Sequence, residues 1–81
     1  MTQLIVAPDF WATRVLPEGT LERWLVPDGT ILRKDDPVAE LLIEGELITL
    51  KASADGKLIV DSRPNSIIEP GSVIGHLLDV G

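Results

Sequence analysis

Hydrophobic and polar residues alternate in short runs along the chain, and glycine, proline, asparagine or aspartate separates one run from the next. A period of two places successive side chains on opposite faces of an extended strand, and the separating residues are those that turns prefer. The pattern therefore predicts brief strands and no convincing helix. The predicted strands are Leu4–Ala7, Thr20–Val26, Ile31–Arg33, Val38–Ile43, Glu46–Lys51, Lys57–Asp61, Ile67–Ile68 and Val73–Leu78.

A weak internal repeat relates the two halves of the chain. Gly19-Thr20-Leu21 corresponds to Gly56-Lys57-Leu58, and Ile31 through Val38-Ala39 corresponds to Ile67 through Ile74-Gly75. Two such halves close naturally as two four-stranded antiparallel sheets around one core, which limits the number of exposed sheet edges. We therefore expect an all-β fold, a flattened β-barrel or sandwich with a pseudo-two-fold axis.

Composition narrows the function classes. A chain of 81 residues with 44% hydrophobic residues and no cysteine fits one domain over residues 1–81, without disulfides or a thiolate metal site. Thirteen acidic against seven basic residues give a net charge of −6, which repels nucleic acid and anionic membranes. No apolar run is long enough for a membrane span, so we expect a cytoplasmic protein that binds neither nucleic acid nor membrane.

The stretch from Pro37 to Leu58 predicts a β-hairpin whose two-residue tip is Glu44-Gly45. This tip fixes the register of the two strands, and alternation then decides which side chains face the core. We expect Leu41, Ile43, Ile48 and Leu50 to face inward. Leu42 and Leu47 form a cross-strand pair that faces outward.

The hairpin resembles that of the lipoyl and biotinyl carrier domains, from Pro37 and Glu40 through Ala52 to Gly56 and Leu58. The segments 18–26 and 28–31 resemble the second strand and following turn of lipoyl domains, so the resemblance covers about Leu4 to Val80. It implies the barrel-sandwich hybrid fold, with the hairpin at one end and the termini at the other. The chain departs from the family at the insertion 10–14 and at Asp35, where the family usually has glycine.

The resemblance fails at the residue that carries the cofactor. Lipoyl and biotinyl domains attach lipoate or biotin to a lysine at the hairpin tip, whereas this chain has Gly45, flanked by Glu44 and Glu46. Glycine has no amine, but it suits a turn position with positive φ. We therefore expect no cofactor. Lys51 is the nearest lysine along the chain, but it lies on a strand or its end, and Lys57 is a weaker substitute.

The outward leucines suggest a contact surface. Phe10 and Trp11 fall in the loop that lies beside the hairpin in lipoyl domains, and with Leu42 and Leu47 they would form an apolar patch for docking or self-association. The alternative is that Phe10 and Trp11 fold over the end of the barrel and cover the leucines.

Other candidate residues indicate structure and not chemistry. His76 has no partner pattern for a catalytic triad or metal set, so we expect a structural or surface residue and no catalytic residue in the chain. Asp35-Asp36 lacks the oxygen-rich spacing of a calcium loop, which favours a solvated turn and no metal. Trp24 stands where lipoyl domains often carry tryptophan, and we expect it to pack on the sheet.

Three functions remain open. The first is a non-catalytic lipoyl-like domain that acts through protein contacts, associated with a complex of the 2-oxo acid dehydrogenase type. The second is a genuine swinging-arm carrier of an acyltransferase or carboxylase, which Gly45 opposes. The third is a homodimeric assembly module that associates through its hairpin end.

Overall fold

The computed structural model describes residues 1–11 and 18–79, apart from the side chains of Asp9 and Trp11. Its elements follow the predicted order, with one addition, a short 3₁₀ helix after the first strand that the sequence pattern did not indicate. In chain order they are β1 (Thr2–Ile5), the 3₁₀ helix (Pro8–Trp11), β2 (Gly19–Trp24), β3 (Ile31–Leu32), β4 (Pro37–Ile43), β5 (Glu46–Lys51), β6 (Gly56–Val60), β7 (Ile67–Ile68) and β8 (Val73–Leu78).

These strands form two four-stranded sheets in which every pairing is antiparallel. Sheet A has the strand order β1-β8-β6-β3, and sheet B has the order β5-β4-β2-β7. Exchanging the first four strands with the last four converts one order into the other. The expected all-β fold of two equivalent sheets is therefore confirmed.

The inner faces of the two sheets share one apolar core. No polar or charged residue is buried among the residues that the structure describes, so hydrophobic burial is the main favourable term holding the sheets together. Leu41, Ile43 and Leu50 are buried as predicted, whereas Ile48 is only partly buried but packs against the core. The buried side chains are Leu4, Val6, Leu21, Leu32, Val38, Ala39, Leu41, Ile43, Leu50, Ala52, Leu58, Ile68, Ile74 and Leu77.

Equivalent turns repeat the same hydrogen bonds. The Thr30 hydroxyl donates to the carbonyl of Pro27, and the Ser66 hydroxyl donates to the carbonyl of Arg63, at the same point of the other half. Asp35 has φ of 74°, a region that glycine enters without strain, which explains why glycine is usual at this position in lipoyl domains. Aspartate fits here because it is among the few other residues that enter this region readily. The repeat found in the sequence is thus a structural repeat.

One β-bulge breaks the repeat. The register of β2 against β4 pairs Leu21 with Leu41 and Arg23 with Glu40, which leaves Glu22 unpaired in the ladder. The equivalent pairing of β6 with β8 has no such shift. An extra residue in β2 therefore explains why equivalent positions are one residue closer in sequence after this point than before it.

Two glycines bring the middle strands close to the ends of their neighbours. A Cβ on Gly19 would lie 2.8 Å from the Leu42 carbonyl oxygen and 2.8 Å from Ile43 Cγ1. A Cβ on Gly56, the equivalent residue, would lie 2.7 Å from the Leu78 carbonyl oxygen. Only glycine fits at both positions, because a backbone oxygen cannot move aside as a flexible side chain can.

We expect Gly19→Ala to lower the free energy of unfolding by about 1–3 kcal/mol, since the added methyl group overpacks a closed contact. Urea unfolding followed by tryptophan fluorescence measures the change. Gly71→Asp is the control, because Gly71 has φ of 87°, has no atom within 4 Å of an added Cβ, and is equivalent to Asp35. An equal loss of stability in both variants would contradict the packing argument.

Candidate protein-interaction site at the hairpin end

The β4–β5 hairpin has the predicted two-residue tip. Ile43 pairs with Glu46 and Leu42 with Leu47, which confirms the register expected from the sequence. Glu44 and Gly45 have φ of 48° and 78°, the positive values that a type I′ turn requires at its two central positions. Glycine at the second position therefore adopts the positive φ of this turn without steric strain.

Gly45 is exposed at the tip, and no atom lies within 4 Å of a Cβ added to it. A lysine side chain would fit there without a clash, although its backbone would carry the strain of positive φ. The residue present offers no amine and no side chain. The hairpin tip therefore does not fit a covalently attached lipoyl or biotinyl group.

The other lysines lie away from the tip. Lys51 ends β5, and the rise of an extended strand puts it about 20 Å from Gly45. Lys57 lies on β6 in the opposite sheet, and Lys34 lies in the turn before β4. None of the three is presented by a hairpin turn as the attachment lysine of a carrier domain is.

The outward leucines belong to a row that crosses the whole of sheet B. Leu47 pairs with Leu42, Leu42 pairs with Thr20, and Thr20 pairs with Ile67, so all four side chains lie on the outer face. Leu47 is 58% exposed and Ile67 is 72% exposed, whereas Leu42 and Thr20 are partly buried. We call these four residues the sheet B row.

The sheet B row borders an open depression of about 330 Å³. Carboxylates line its hairpin side, whereas the row supplies its apolar and hydroxyl groups. On the other side of the row the next cross-strand pair is Arg23 with Glu40, whose side chains form an ion pair. The residues that line the depression are Glu18, Gly19, Thr20, Leu42, Glu44, Gly45 and Ile67.

The predicted contribution of the loop after β1 is only partly visible. Phe10 is partly buried and packs against the core, and the side chain of Trp11 lies outside the part of the chain that the structure describes. A joined surface of Phe10, Trp11, Leu42 and Leu47 stays a prediction. In the structure Thr20 pairs with Leu42, and Ile67 pairs with Thr20.

Sequence reasoning missed Thr20, Ile67 and Glu18. The first two join Leu42 through the pairing of β2 with β4 and β7, which a local pattern of alternation does not reveal. The internal repeat held a usable signal, since it aligns Thr20 with Lys57 and Ile67 with Ile31. Thr20 pairs with Ile67 just as Lys57 pairs with Ile31, so knowing either pairing would have predicted the other.

The remaining candidate residues have structural contacts. His76 Nδ1 pairs with an Asp61 carboxylate oxygen, and Trp24 Nε1 donates a 2.9 Å hydrogen bond to the Ser62 carbonyl while its ring packs against the core. Asp36 accepts a 2.9 Å hydrogen bond from the Arg33 N–H. Within residues 1–11 and 18–79 no three acidic or histidine side chains are grouped as metal ligands.

Residues 1–11 and 18–79 contain no helix with the length and apolar character needed to span a membrane.

Comparison with solved structures identifies the fold. The chain is similar to the lipoyl domain of the 2-oxoglutarate dehydrogenase complex of Azotobacter vinelandii, with a TM-score of 0.68 and 19% sequence identity over 82% of this chain and 85% of that domain. No protein-family model and no curated protein matches the sequence. The protein has the fold of a lipoyl domain, as the resemblance of the hairpin predicted.

Proposed function

We propose that this protein is an unmodified, non-catalytic lipoyl-like domain that acts through protein contacts at its hairpin end. The observation that carries the proposal is Gly45, which stands at the tip of a hairpin in the lipoyl-domain fold and has no amine. The hairpin has the backbone geometry of a type I′ turn without a lysine that could carry a cofactor. What it presents to a partner is therefore a fixed surface and not a swinging group.

A multienzyme complex of the 2-oxo acid dehydrogenase type is the proposed setting. The structurally similar domain of Azotobacter vinelandii belongs to such a complex. The apolar residues Leu42 and Leu47 lie beside the hairpin tip and supply a contact surface there, since exposed apolar side chains in a group often mark interfaces. A cytoplasmic location is part of the same proposal.

The first test is modification of the tip. Wild-type protein co-expressed with a lipoate ligase and a biotin ligase should show no lipoyl or biotinyl adduct by intact mass spectrometry. Gly45→Lys should remain folded, with a loss of stability of about 1 kcal/mol from positive φ, and should present an amine where ligases look for one. A mass adduct on this variant supports a carrier scaffold that lacks its lysine.

Gly71→Lys is the matched control, because Gly71 is also exposed in a turn, has φ of 87° and has no atom within 4 Å of an added Cβ. An amine there should not be modified, since it lies outside the hairpin tip. A stoichiometric adduct on the wild-type protein would contradict the proposed function.

The second test concerns Leu42 and Leu47. Changing both to Thr removes apolar contact area from the outer face while keeping residues that suit strands, so the fold should persist and association with a partner or a second copy should weaken at least tenfold. Analytical ultracentrifugation measures association, and a melting curve measures stability. A destabilised variant with unchanged association would show that the monomer itself covers these leucines, against a docking surface.

A further inference from the structure

The pseudo-two-fold axis gives the sheet B row a counterpart on sheet A. Lys57 pairs with Ile31 on one side and with Leu78 on the other, and these residues are equivalent to Thr20, Ile67 and Leu42. Ile31 is 58% exposed. The two outer faces thus carry similar apolar rows, which differ where sheet A has Lys57 and sheet B has Thr20.

The difference is a long cation on sheet A and a short hydroxyl on sheet B. The Cε atom of Lys57 lies 3.8 Å from the place that a Cβ on Gly29 would take, so the lysine stem extends along the turn before β3. Aliphatic lysine stems cover apolar surface while their ammonium groups stay in water. Thr20 has no such stem, and the open depression lies beside it.

Glu18 marks where a cation would sit. The equivalent residue on sheet A is Asp55, whose Oδ1 accepts a 2.7 Å hydrogen bond from the Lys34 N–H. The residue equivalent to Lys34 is Pro70, which has no N–H to donate. Glu18 lines the depression without the backbone donor that holds Asp55.

We propose that the depression beside Thr20 takes up a lysine or arginine side chain of a partner protein, with its stem against Leu42 and Ile67 and its cation beside Glu18. An apolar residue next to this cation on the partner rests on Leu47. On sheet A the stem of Lys57 runs the other way along its strand, toward Gly29, so Lys57 is a precedent for a lysine in such a row and not for its direction. This inference rests on the proposed function, because it names the chemistry of the partner that the hairpin end contacts.

Charge favours a basic partner over a second copy. The chain carries a net charge of −6, so two copies repel each other while a basic surface is attracted. A row of four side chains is far smaller than a standard interface, which indicates weak and transient docking. A dissociation constant between about 0.1 and 3 mM is expected for a short peptide.

The test is a titration of the ¹⁵N-labelled protein with a capped pentapeptide that alternates leucine and lysine. Saturable shift changes should appear at the amides of Thr20, Leu42, Leu47 and Ile67. Two control peptides replace either the lysines with glutamate or the leucines with serine, and both should bind at least fivefold more weakly. Lack of saturation, shift changes centred on Ile31 and Leu78, or equal binding of the glutamate peptide would overturn the proposal.

Thr20→Lys is the decisive variant, because Thr20 lines the depression and a lysine there places a stem and a cation beside the proposed position of the partner's side chain. It should change the melting temperature by no more than a few degrees and weaken binding of the lysine peptide at least tenfold. Thr49→Lys is the matched control, since Thr49 is exposed on the same face and pairs with Glu40 one row further from the tip. Equal weakening by both variants would mean general charge repulsion and would overturn the site.

Glu18→Gln gives an independent readout. It should weaken binding of the lysine peptide by about threefold or more and reduce the salt dependence of this binding, because it removes one charge from the depression. A concentration-dependent dimer that Thr20→Lys abolishes would show a second copy in the depression and overturn the proposed partner. The proposed function fails separately, through a lipoyl or biotinyl adduct on the wild-type protein.

Discussion

Burial of one core by two equivalent half-chains is the constraint on which the rest of this structure depends. Neither sheet can hide its apolar face alone, and the chain has no cysteine with which to cross-link it. Leu21 on β2 and Leu58 on β6 are equivalent and fully buried, one in each sheet. Pairing of the halves places the β4–β5 hairpin at one end, and the outward residues of its strands follow from the inward ones.

The acidic residues serve this architecture before they serve any partner. Asp28 Oδ1 accepts a 2.8 Å hydrogen bond from the Val60 N–H, and Asp55 and Asp36 accept from the backbone of the β3–β4 turn. Glu40 forms a cross-strand ion pair with Arg23. Four carboxylates are thus held by turns and a strand pair, whereas Glu18 lines the depression at the hairpin end. The net charge sets the sign of the surfaces that the protein attracts, and the positions of the carboxylates decide where such a surface can dock.

The sequence predicted what depends on local periodicity and turn chemistry. The strand order along the chain, the two-residue tip and the inward positions of Leu41, Ile43 and Leu50 all follow from alternation and from glycine at a positive φ. The bulge at Glu22 was not predicted, because alternation alone does not show where a residue leaves the ladder. The repeat does show it, since its spacing changes by one residue across β2.

The candidate site was predicted in part for the same reason. Leu42 and Leu47 are neighbours through a local hairpin, so their pairing could be read from the chain. Thr20 and Ile67 join them through strand pairings between distant segments, which require the closed fold. The sequence left open whether Phe10 joins the leucines in a contact patch or folds over the end of the barrel, and in the structure Phe10 is partly buried against the core.

Under the proposed function, a glycine at the position of an attachment lysine changes how the hairpin end can act on a partner. A swinging arm works at a distance from the domain that carries it, so the surface around the tip needs only to be recognised by ligases and partner enzymes. Because Gly45 offers no amine for an arm, the proposed effect on a partner has to pass through direct contact with the folded surface. A fixed apolar row beside a carboxylate can supply affinity and orientation through contact alone. The proposed function therefore requires binding by the folded surface beside the hairpin tip, and the outer face of sheet B is the part of that surface with both apolar and acidic groups.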